Sequence, residues 1–217
     1  MARSFISGRK YPKTTVEKVY EEIRDDIIAG IHPPGSHLVR QAMAKKYHVS
    51  VISIMEAFYR LEMDGLIENS PSQGAYVIEV TTAMIEQDRL LREALECQTA
   101  RLFTLRASEH EKSDIKKLAN LLDSLQKTIT EDQPDDVLRQ FLPYHAEFHF
   151  GIARMSGATR IYHLLRQMWR RRIMVIADIP CLLRRLPEHW HETLADLFIA
   201  GDPDEAEQQM RVHVNFQ

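Results

Sequence analysis

Two histidines one helical turn apart are the first residues whose type and spacing point to chemistry. His145 and His149 stand at i and i+4 in the segment LPYHAEFHFGIARMSG. Side chains four residues apart share one face of a helix, so both imidazoles are placed to bind a single cation. The chain has ten histidines, so a pair at this spacing also arises by chance. The pair therefore needs further ligands before it indicates a metal site.

Two later histidines are candidates for those further ligands. His191 begins one predicted helix and His213 lies near the end of the next, with Gly201 and Asp202 between the two helices. Antiparallel packing of consecutive helices brings their outer ends together, so these two imidazoles can meet. The sequence thus offers up to four imidazole ligands from three helices.

The same residues do not indicate an enzyme. A histidine cluster can activate water, but catalysis also needs a general base or a nucleophile. Glu147 is the only acid close to the pair in sequence, and at i+2 from His145 it points away from the histidine face. The chain contains no GxSxG, HExxH, glycine-rich phosphate loop or Cys-His arrangement. We expect a binding protein, with catalysis as the alternative.

Composition bounds the classes of protein that remain. The 217 residues are 44% hydrophobic and 27% charged, which suits two modest globular domains and excludes collagen-like and disordered chains. No segment approaches the roughly 20 uninterrupted apolar residues that span a bilayer, so no membrane partner is expected. The two cysteines are interpreted as single thiols in a reducing compartment, which predicts a cytoplasmic protein.

The N-terminal part reads as three helices and a β-hairpin. An apolar stripe at helical spacing covers residues 14–30, with Thr15 as the predicted N-cap. A short second helix follows, and a third begins after Ser50. Two short apolar runs, Leu66–Glu68 and Ala75–Val80, flank a Ser-Pro-Ser-Gln-Gly turn. This order predicts a winged helix-turn-helix, whose third helix enters a DNA major groove.

The remainder is helical almost without interruption. We predict a mainly α protein in which an all-α six-helix bundle follows the winged helix-turn-helix (three helices plus a β-hairpin wing). The predicted domains are a basic arm at 1–13, a DNA-binding domain at 14–80 and an effector domain at 83–217. The predicted helices of the last domain are 83–107, 110–130, 135–156, 159–182, 188–200 and 203–215.

Several fragments place the chain near a known family. IIAGIHPPGSHL, AKKYHVS, MEAFYRLEMDGLIE and QGAYV occur in the order and spacing typical of that family. The chain resembles the GntR bacterial transcription regulators, specifically the FadR branch with its helical, FCD-type effector domain. The resemblance implies a homodimer that binds double-stranded operator DNA and responds to a small organic acid.

The resemblance also implies a metal site. In the family one helix gives an Asp and a His at i and i+4, and two histidines come from the final helix pair. His149, His191 and His213 occupy the histidine positions, and His145 occupies that of the aspartate. A neutral imidazole there would leave the full +2 charge of a zinc or nickel ion, which favours an anionic effector. Metal binding should weaken below about pH 6, because protonated imidazoles no longer coordinate the ion. The competing interpretation is that His145 breaks the site.

One further pair matches the family on the first helix of the effector domain. Arg92 and Glu96 stand at positions where the arginine can face the effector pocket and bind its carboxylate. The alternative is a surface ion pair at i and i+4, which contributes only a few tenths of a kcal/mol.

The DNA-binding half departs from the family in its third helix. Val51 and Met55 stand where the family usually has arginines, and such apolar side chains cannot bond guanine as arginine does. Either the domain binds DNA with another preference, or the helix presents an apolar surface to a partner protein; Met55 could also pack inward. The residues predicted to contact DNA are Arg9, Lys10, Lys45, Lys46, Ser50, Ser53, Arg60, Gln73 and Gly74.

Overall fold

The chain divides into two compact units, one ending at Glu79 and the other beginning at Val80. The computed structural model describes residues 12–70, 74–128, 134–173 and 186–216. The first unit contains α1 (Thr15–Ile28), β1 (His37–Leu38), α2 (Arg40–Lys46), α3 (Val51–Met63), β2 (Ile67–Ser70) and β3 (Gly74–Val77). The second contains α4 (Thr82–Arg106), α5 (Glu109–Lys127), α6 (Pro134–Met155), α7 (Thr159–Ile173), α8 (Trp190–Ala200) and α9 (Pro203–Phe216). No helix within these ranges has both the length and the hydropathy of a membrane span.

Helix α1 begins one residue earlier than the sequence predicts. Thr14, not Thr15, is the N-cap, and its hydroxyl accepts a hydrogen bond from the backbone N–H of Glu17 at 3.2 Å. The Glu17 carboxylate in turn accepts from the N–H of Thr14 at 2.8 Å. The Thr-x-x-Glu spacing fits Thr14 and not Thr15, because a capping box joins the N-cap to the third helical residue.

Helix α3 packs on α1 and α2 through the face predicted from its periodicity. Ile54, Ala57, Phe58 and Leu61 are all buried, as their helical spacing requires. Ser50 caps the helix, since its hydroxyl accepts from the N–H of Ser53 at 3.0 Å. The alternative that Met55 packs inward is wrong, because its side chain is 53% exposed.

The wing is a three-stranded sheet with strand order β1-β3-β2. Strands β2 and β3 pair antiparallel, with Ile67 opposite Val77 and Ser70 opposite Gly74. This confirms the predicted hairpin, although β3 ends at Val77 and not at Val80. Strand β1 was not predicted, because two residues are too few to show a period of two.

The second unit is a bundle in which six helices lie within the described residues. Its hydrophobic core includes Phe103, Leu122, Phe148, Phe198 and Val214, and α7 adds the buried Leu165, Met168 and Trp169. Helix α4 lies along α9 and α5 lies along α8, so the last two helices close the bundle. The predicted fold class is confirmed, and the predicted helix 159–182 is seen to Ile173, beyond which it falls outside the described residues.

Candidate metal centre and DNA-binding face

Four buried histidines meet in the helical unit. His145 and His149 lie on α6, His191 in the first turn of α8, and His213 in the last turn of α9. The ring nitrogens of His145, His149 and His213 lie within 4.8 Å of one another. The ring centroid of His191 lies 5.2 Å from that of His145 and 5.0 Å from that of His213. Three helices therefore bring the predicted imidazoles to one point.

A carboxylate orients the ring of His149. Glu96 of α4 contacts its Nδ1, and the Glu96 side chain is 2% exposed. A carboxylate at Nδ1 favours the tautomer that carries its proton there, which leaves Nε2 as a lone-pair donor. That Nε2 lies 3.2 Å from the Nε2 of His145. The two nitrogens on the shared helix face thus point at the same place.

A second carboxylate does the same for His191. Asp123 of α5 accepts from the Nδ1–H of this ring at 2.7 Å. It also accepts the backbone N–H groups of His191 at 3.1 Å and Glu192 at 2.9 Å. The N-cap residue of α8, His189, makes no side-chain cap bond of its own, so Asp123 supplies the acceptor that this helix end needs. One buried side chain therefore fixes both the start of α8 and the ring that begins it.

Arg92 lies in the same buried region and is 2% exposed. Its Nε donates to Glu96 at 2.9 Å, and its guanidinium carbon lies 4.9 Å from the ring centre of Trp169. The alternative of a surface ion pair is wrong, because the side chains of both Arg92 and Glu96 are 2% exposed. Nη1 and Nη2 of Arg92 have no hydrogen-bond partner among the described residues.

The protonation states suit coordination. Burial, with the nearby imidazoles and Arg92, lowers the pKa of His145 and of His213 well below 6.5. Burial also lowers the pKa of His191, although Asp123 opposes this. For Glu96, burial raises the pKa, but His149 and Arg92 outweigh it and lower the value to about 2. Neutral rings at His145, His191 and His213 beside the charged carboxylates are the states that a metal requires.

The residues fit a divalent transition metal. Zinc and nickel both bind neutral imidazole nitrogens. Histidines that bind a metal usually donate the N–H of their other ring nitrogen to a carboxylate, which orients the ring. The Nε2 of His191 is buried and has no hydrogen-bond partner among the described residues, which agrees with a ligand role. Glu96 and Asp123 both lie against the rings, so the site carries negative charge beside its imidazoles, and the expectation that the ion keeps its full +2 charge stays a prediction.

Neither Asp123 nor the contact of Glu96 with His149 was predicted from the sequence, which named Glu147 as the only acid close to the histidine pair. In the structure Glu147 pairs at the surface with Arg154. A signal for the burial of both acids was present, because Glu96 and Asp123 follow the buried stripes of α4 and α5 at helical spacing. A charged residue on an apolar stripe is rarely buried without a partner.

The predicted DNA-binding residues of α2 and α3 differ in the hydrogen bonds and ion pairs that their side chains make within the first unit. Lys45 is exposed at the end of α2, while Lys46 donates to Asp26 at 2.7 Å. The hydroxyls of Ser50 and Ser53 lie 2.9 Å apart at the start of α3. Arg60, further along α3, pairs with Glu56 at 3.2 Å. Contact of these residues with DNA stays a prediction.

The wing residues divide between described and undescribed parts of the chain. Gly74 begins β3 with φ +90°, and a Cβ there would lie 2.4 Å from Nε2 of His37. Glycine is therefore required by backbone conformation and by the close approach of that ring. Arg9, Lys10 and Gln73 lie outside the described residues.

Comparison with known proteins gives two family matches and several relatives. The FCD domain matches residues 89–216, and the domain of bacterial regulatory proteins of the gntR family matches residues 15–77. The HTH-type transcriptional repressor RspR of Escherichia coli K12 is 32% identical over 85 residues, which cover 39% of this chain and only 37% of that protein. The uncharacterized HTH-type transcriptional regulator BphR of Paraburkholderia xenovorans is 23% identical over 221 residues, covering 98% of this chain and 89% of BphR.

Solved structures agree on the fold. The structure of E. coli McbR/YncC superposes with a TM-score of 0.72 at 17% identity, covering 94% of this chain and 95% of that one. A putative GntR regulator from Rhodococcus sp. RHA1 gives 0.68 at 20% identity, with 94% and 95% covered. These superpositions show the fold, and the two domain matches show that the chain belongs to the GntR family of bacterial regulatory proteins, among the members that carry an FCD domain.

Proposed function

We propose that the chain is a ligand-responsive transcription regulator of the FadR branch, whose helical unit senses a small carboxylate through a histidine-bound divalent cation. The observation that carries this proposal is the Arg92 guanidinium, which is buried beside the four histidines. It presents Nη1 and Nη2 without a partner among the described residues. A paired guanidinium edge matches the two oxygens of a carboxylate.

The charges of the cluster support an anionic ligand. With neutral imidazoles, the buried ionised groups are one cation, Arg92, and two anions, Glu96 and Asp123. A divalent ion would change the net charge from −1 to +1, which suits a carboxylate. Zinc or nickel held by His145, His149, His191 and His213 would supply a Lewis-acidic position for one ligand oxygen.

The chain's own groups then bind and select the ligand. Arg92 donates from its free edge while Glu96 holds its Nε, so the guanidinium stays in one orientation. Trp169 lies against the guanidinium and excludes water from one face. Burial strengthens each of these interactions, because the surrounding dielectric is low.

We further propose that the winged unit binds operator DNA as part of a homodimer in the cytoplasm. Effector binding would change operator affinity by the difference in effector affinity between the two states of the dimer. The named relatives are transcription regulators, which supports a binding function over catalysis.

Metal analysis of protein purified without an affinity tag tests the sensor. We expect close to one equivalent of zinc or nickel per chain, and less than a tenth of an equivalent would contradict the metal site. His149→Ala should lose the metal, whereas His163→Ala, which removes an exposed histidine of α7, should retain it. Loss of metal in both variants would indicate a general effect of histidine removal.

A mobility-shift titration with fragments of the source genome tests DNA binding. Specific fragments should shift at nanomolar protein in about 50 mM salt, and the affinity should fall steeply as salt rises, because phosphate contacts release counterions. Failure to shift every fragment in low salt would overturn the DNA-binding half of the proposal.

A further inference from the structure

The outward face of α3 carries a row of exposed apolar side chains, beside which Glu56 and Arg60 form an ion pair. Its exposed side chains lie opposite the buried Ile54, Phe58 and Leu61. Isolated exposed apolar residues are common, but a continuous row of them on one helix indicates a binding surface. The exposed fractions are Val51 40%, Ile52 76%, Met55 53%, Tyr59 62% and Met63 56%.

The N-terminal end of this apolar row lies where a helix-turn-helix contacts bases. Val51, Ile52 and Met55 occupy the first two turns of α3. In this motif the N-terminal residues of the recognition helix contact base edges in the major groove. Ser50 and Ser53 lie at the same helix end, with their hydroxyls occupied by each other and by the cap bond.

The charge around these turns favours DNA over a protein partner. From residue 27 to residue 55 the chain contains no Asp or Glu, while it contains Arg40, Lys45 and Lys46, of which Lys46 pairs with Asp26. The next acids along α3 are engaged within the unit: Glu56 pairs with Arg60, and Glu62 accepts from Asn69. The apolar turns are therefore bordered by a segment of positive charge, which favours contact with the phosphates of DNA.

The side-chain chemistry limits what α3 can recognise. Val51, Ile52 and Met55 have no strong donor or acceptor, so they cannot bond guanine O6 and N7 or adenine N6 and N7. The one apolar group on a major-groove edge is the C5-methyl of thymine. We propose that this chain reads its operator through thymine methyl groups packed on Val51, Ile52 and Met55. This inference rests on the DNA binding proposed above and specifies its sequence preference.

Replacing thymine by uracil tests the inference, because it removes only the methyl group. A binding site is first selected by the full-length protein from a random duplex library, and each thymine of the site is then replaced in turn. Affinity should fall about fourfold for each contacted methyl, as expected for loss of one buried apolar carbon. Uracil outside the contacted positions should have no effect.

Two matched variants connect the effect to the helix. Ile52→Ala should lose the sensitivity to uracil at the position that Ile52 contacts. Ile31→Ala removes the same atoms from another residue of this unit, 59% exposed, and should keep the wild-type sensitivity. In a repeat of the selection, Val51→Arg should replace thymine by guanine at one position.

The outcomes separate this inference from the proposed function. A selected site that binds equally well with uracil throughout would overturn methyl readout and leave DNA binding intact. No enrichment of any sequence in 50 mM salt would overturn both, and would assign the α3 face to a protein partner. Uracil sensitivity that Ile52→Ala and Ile31→Ala share equally would also overturn the role of α3.

Discussion

Asp123→Asn separates two functions that one carboxylate performs. In the wild type, Oδ1 accepts from the ring and the backbone N–H of His191, and Oδ2 accepts from the N–H of Glu192. Asparagine keeps the shape but replaces one oxygen by an NH2 group, which is a donor. At least one N–H group then faces another donor in a buried position, and every remaining bond loses its charge.

The expected effects are large because the group is buried. Losing one charge-assisted bond costs about 1.5–3 kcal/mol, and an unsatisfied buried N–H costs about 1–3 kcal/mol, so we expect destabilisation of about 2.5–6 kcal/mol. At about 2–4 °C per kcal/mol for a chain of this size, Tm should fall by roughly 10 °C. Metal affinity should fall about 10–100-fold, because the ring of His191 loses the partner that fixes its tautomer.

Both quantities are measured on the full-length protein. Trp169 and Trp190 are the only tryptophans and lie in the helical unit, so their fluorescence follows its unfolding. Metal affinity is measured by competition with a chelator. Asp196→Asn is the control, since Asp196 lies on α8, the helix that carries His191, is 60% exposed, and pairs at the surface with Lys116. That change should alter stability by less than about 1 kcal/mol.

The combination of results decides the role of Asp123. A lower Tm with unchanged metal affinity would refute the orienting role and leave only the cap of α8. Unchanged Tm and unchanged metal affinity would refute the hydrogen-bond geometry itself.

Three further outcomes follow from the same cluster. In metal-free protein, His145, His191 and His213 have pKa values lowered in the folded state, so the unfolded chain binds more protons below pH 6.5. Stability in urea should therefore fall as the pH drops from 6 to 5, by about 1 kcal/mol for each ring that stays neutral, and a flat profile would contradict neutral buried rings. His145→Asp should retain the metal but weaken binding of a panel of mono-, di- and tricarboxylates by calorimetry, because it adds a negative charge; unchanged carboxylate affinity would count against the charge argument. Arg92→Met should reduce carboxylate affinity at least tenfold with metal retained, whereas Arg101→Met, at a partly exposed ion pair on the same helix, should not.

The sequence predicted those features that depend on local spacing. The i and i+4 pair of His145 and His149 follows from helix geometry, and the meeting of His191 and His213 follows from two antiparallel helices joined by a short turn. The cap at Ser50 was also local. Each of these needs only the period of the helix and the length of one connection.

The parts that the sequence did not predict depend on packing between distant elements. Asp123 is 68 residues from His191 in the chain, and only the packing of α5 on α8 joins them. Glu96 reaches His149 across the packing of α4 on α6. Local spacing gave Glu96 an ion-pair partner, Arg92, but contained no information on whether that pair faced water or the core. Burial decides the role of this ion pair. An exposed pair contributes only tenths of a kcal/mol to stability, whereas a buried pair also determines which of its neighbours are charged.

The cost of this cluster is itself an argument for a ligand. Apolar residues would fill the same volume without buried polar atoms, as they do elsewhere in the bundle. Instead, the Nε2 of His191 and both Nη atoms of Arg92 lack hydrogen-bond partners among the described residues. Each such group costs about 1–3 kcal/mol, and the total is comparable with the 5–15 kcal/mol that stabilises a typical domain. The ligand that stabilises such a fold most has a Lewis acid for the imidazole of His191 and an anion for the guanidinium of Arg92. A carboxylate bound to a metal ion has both.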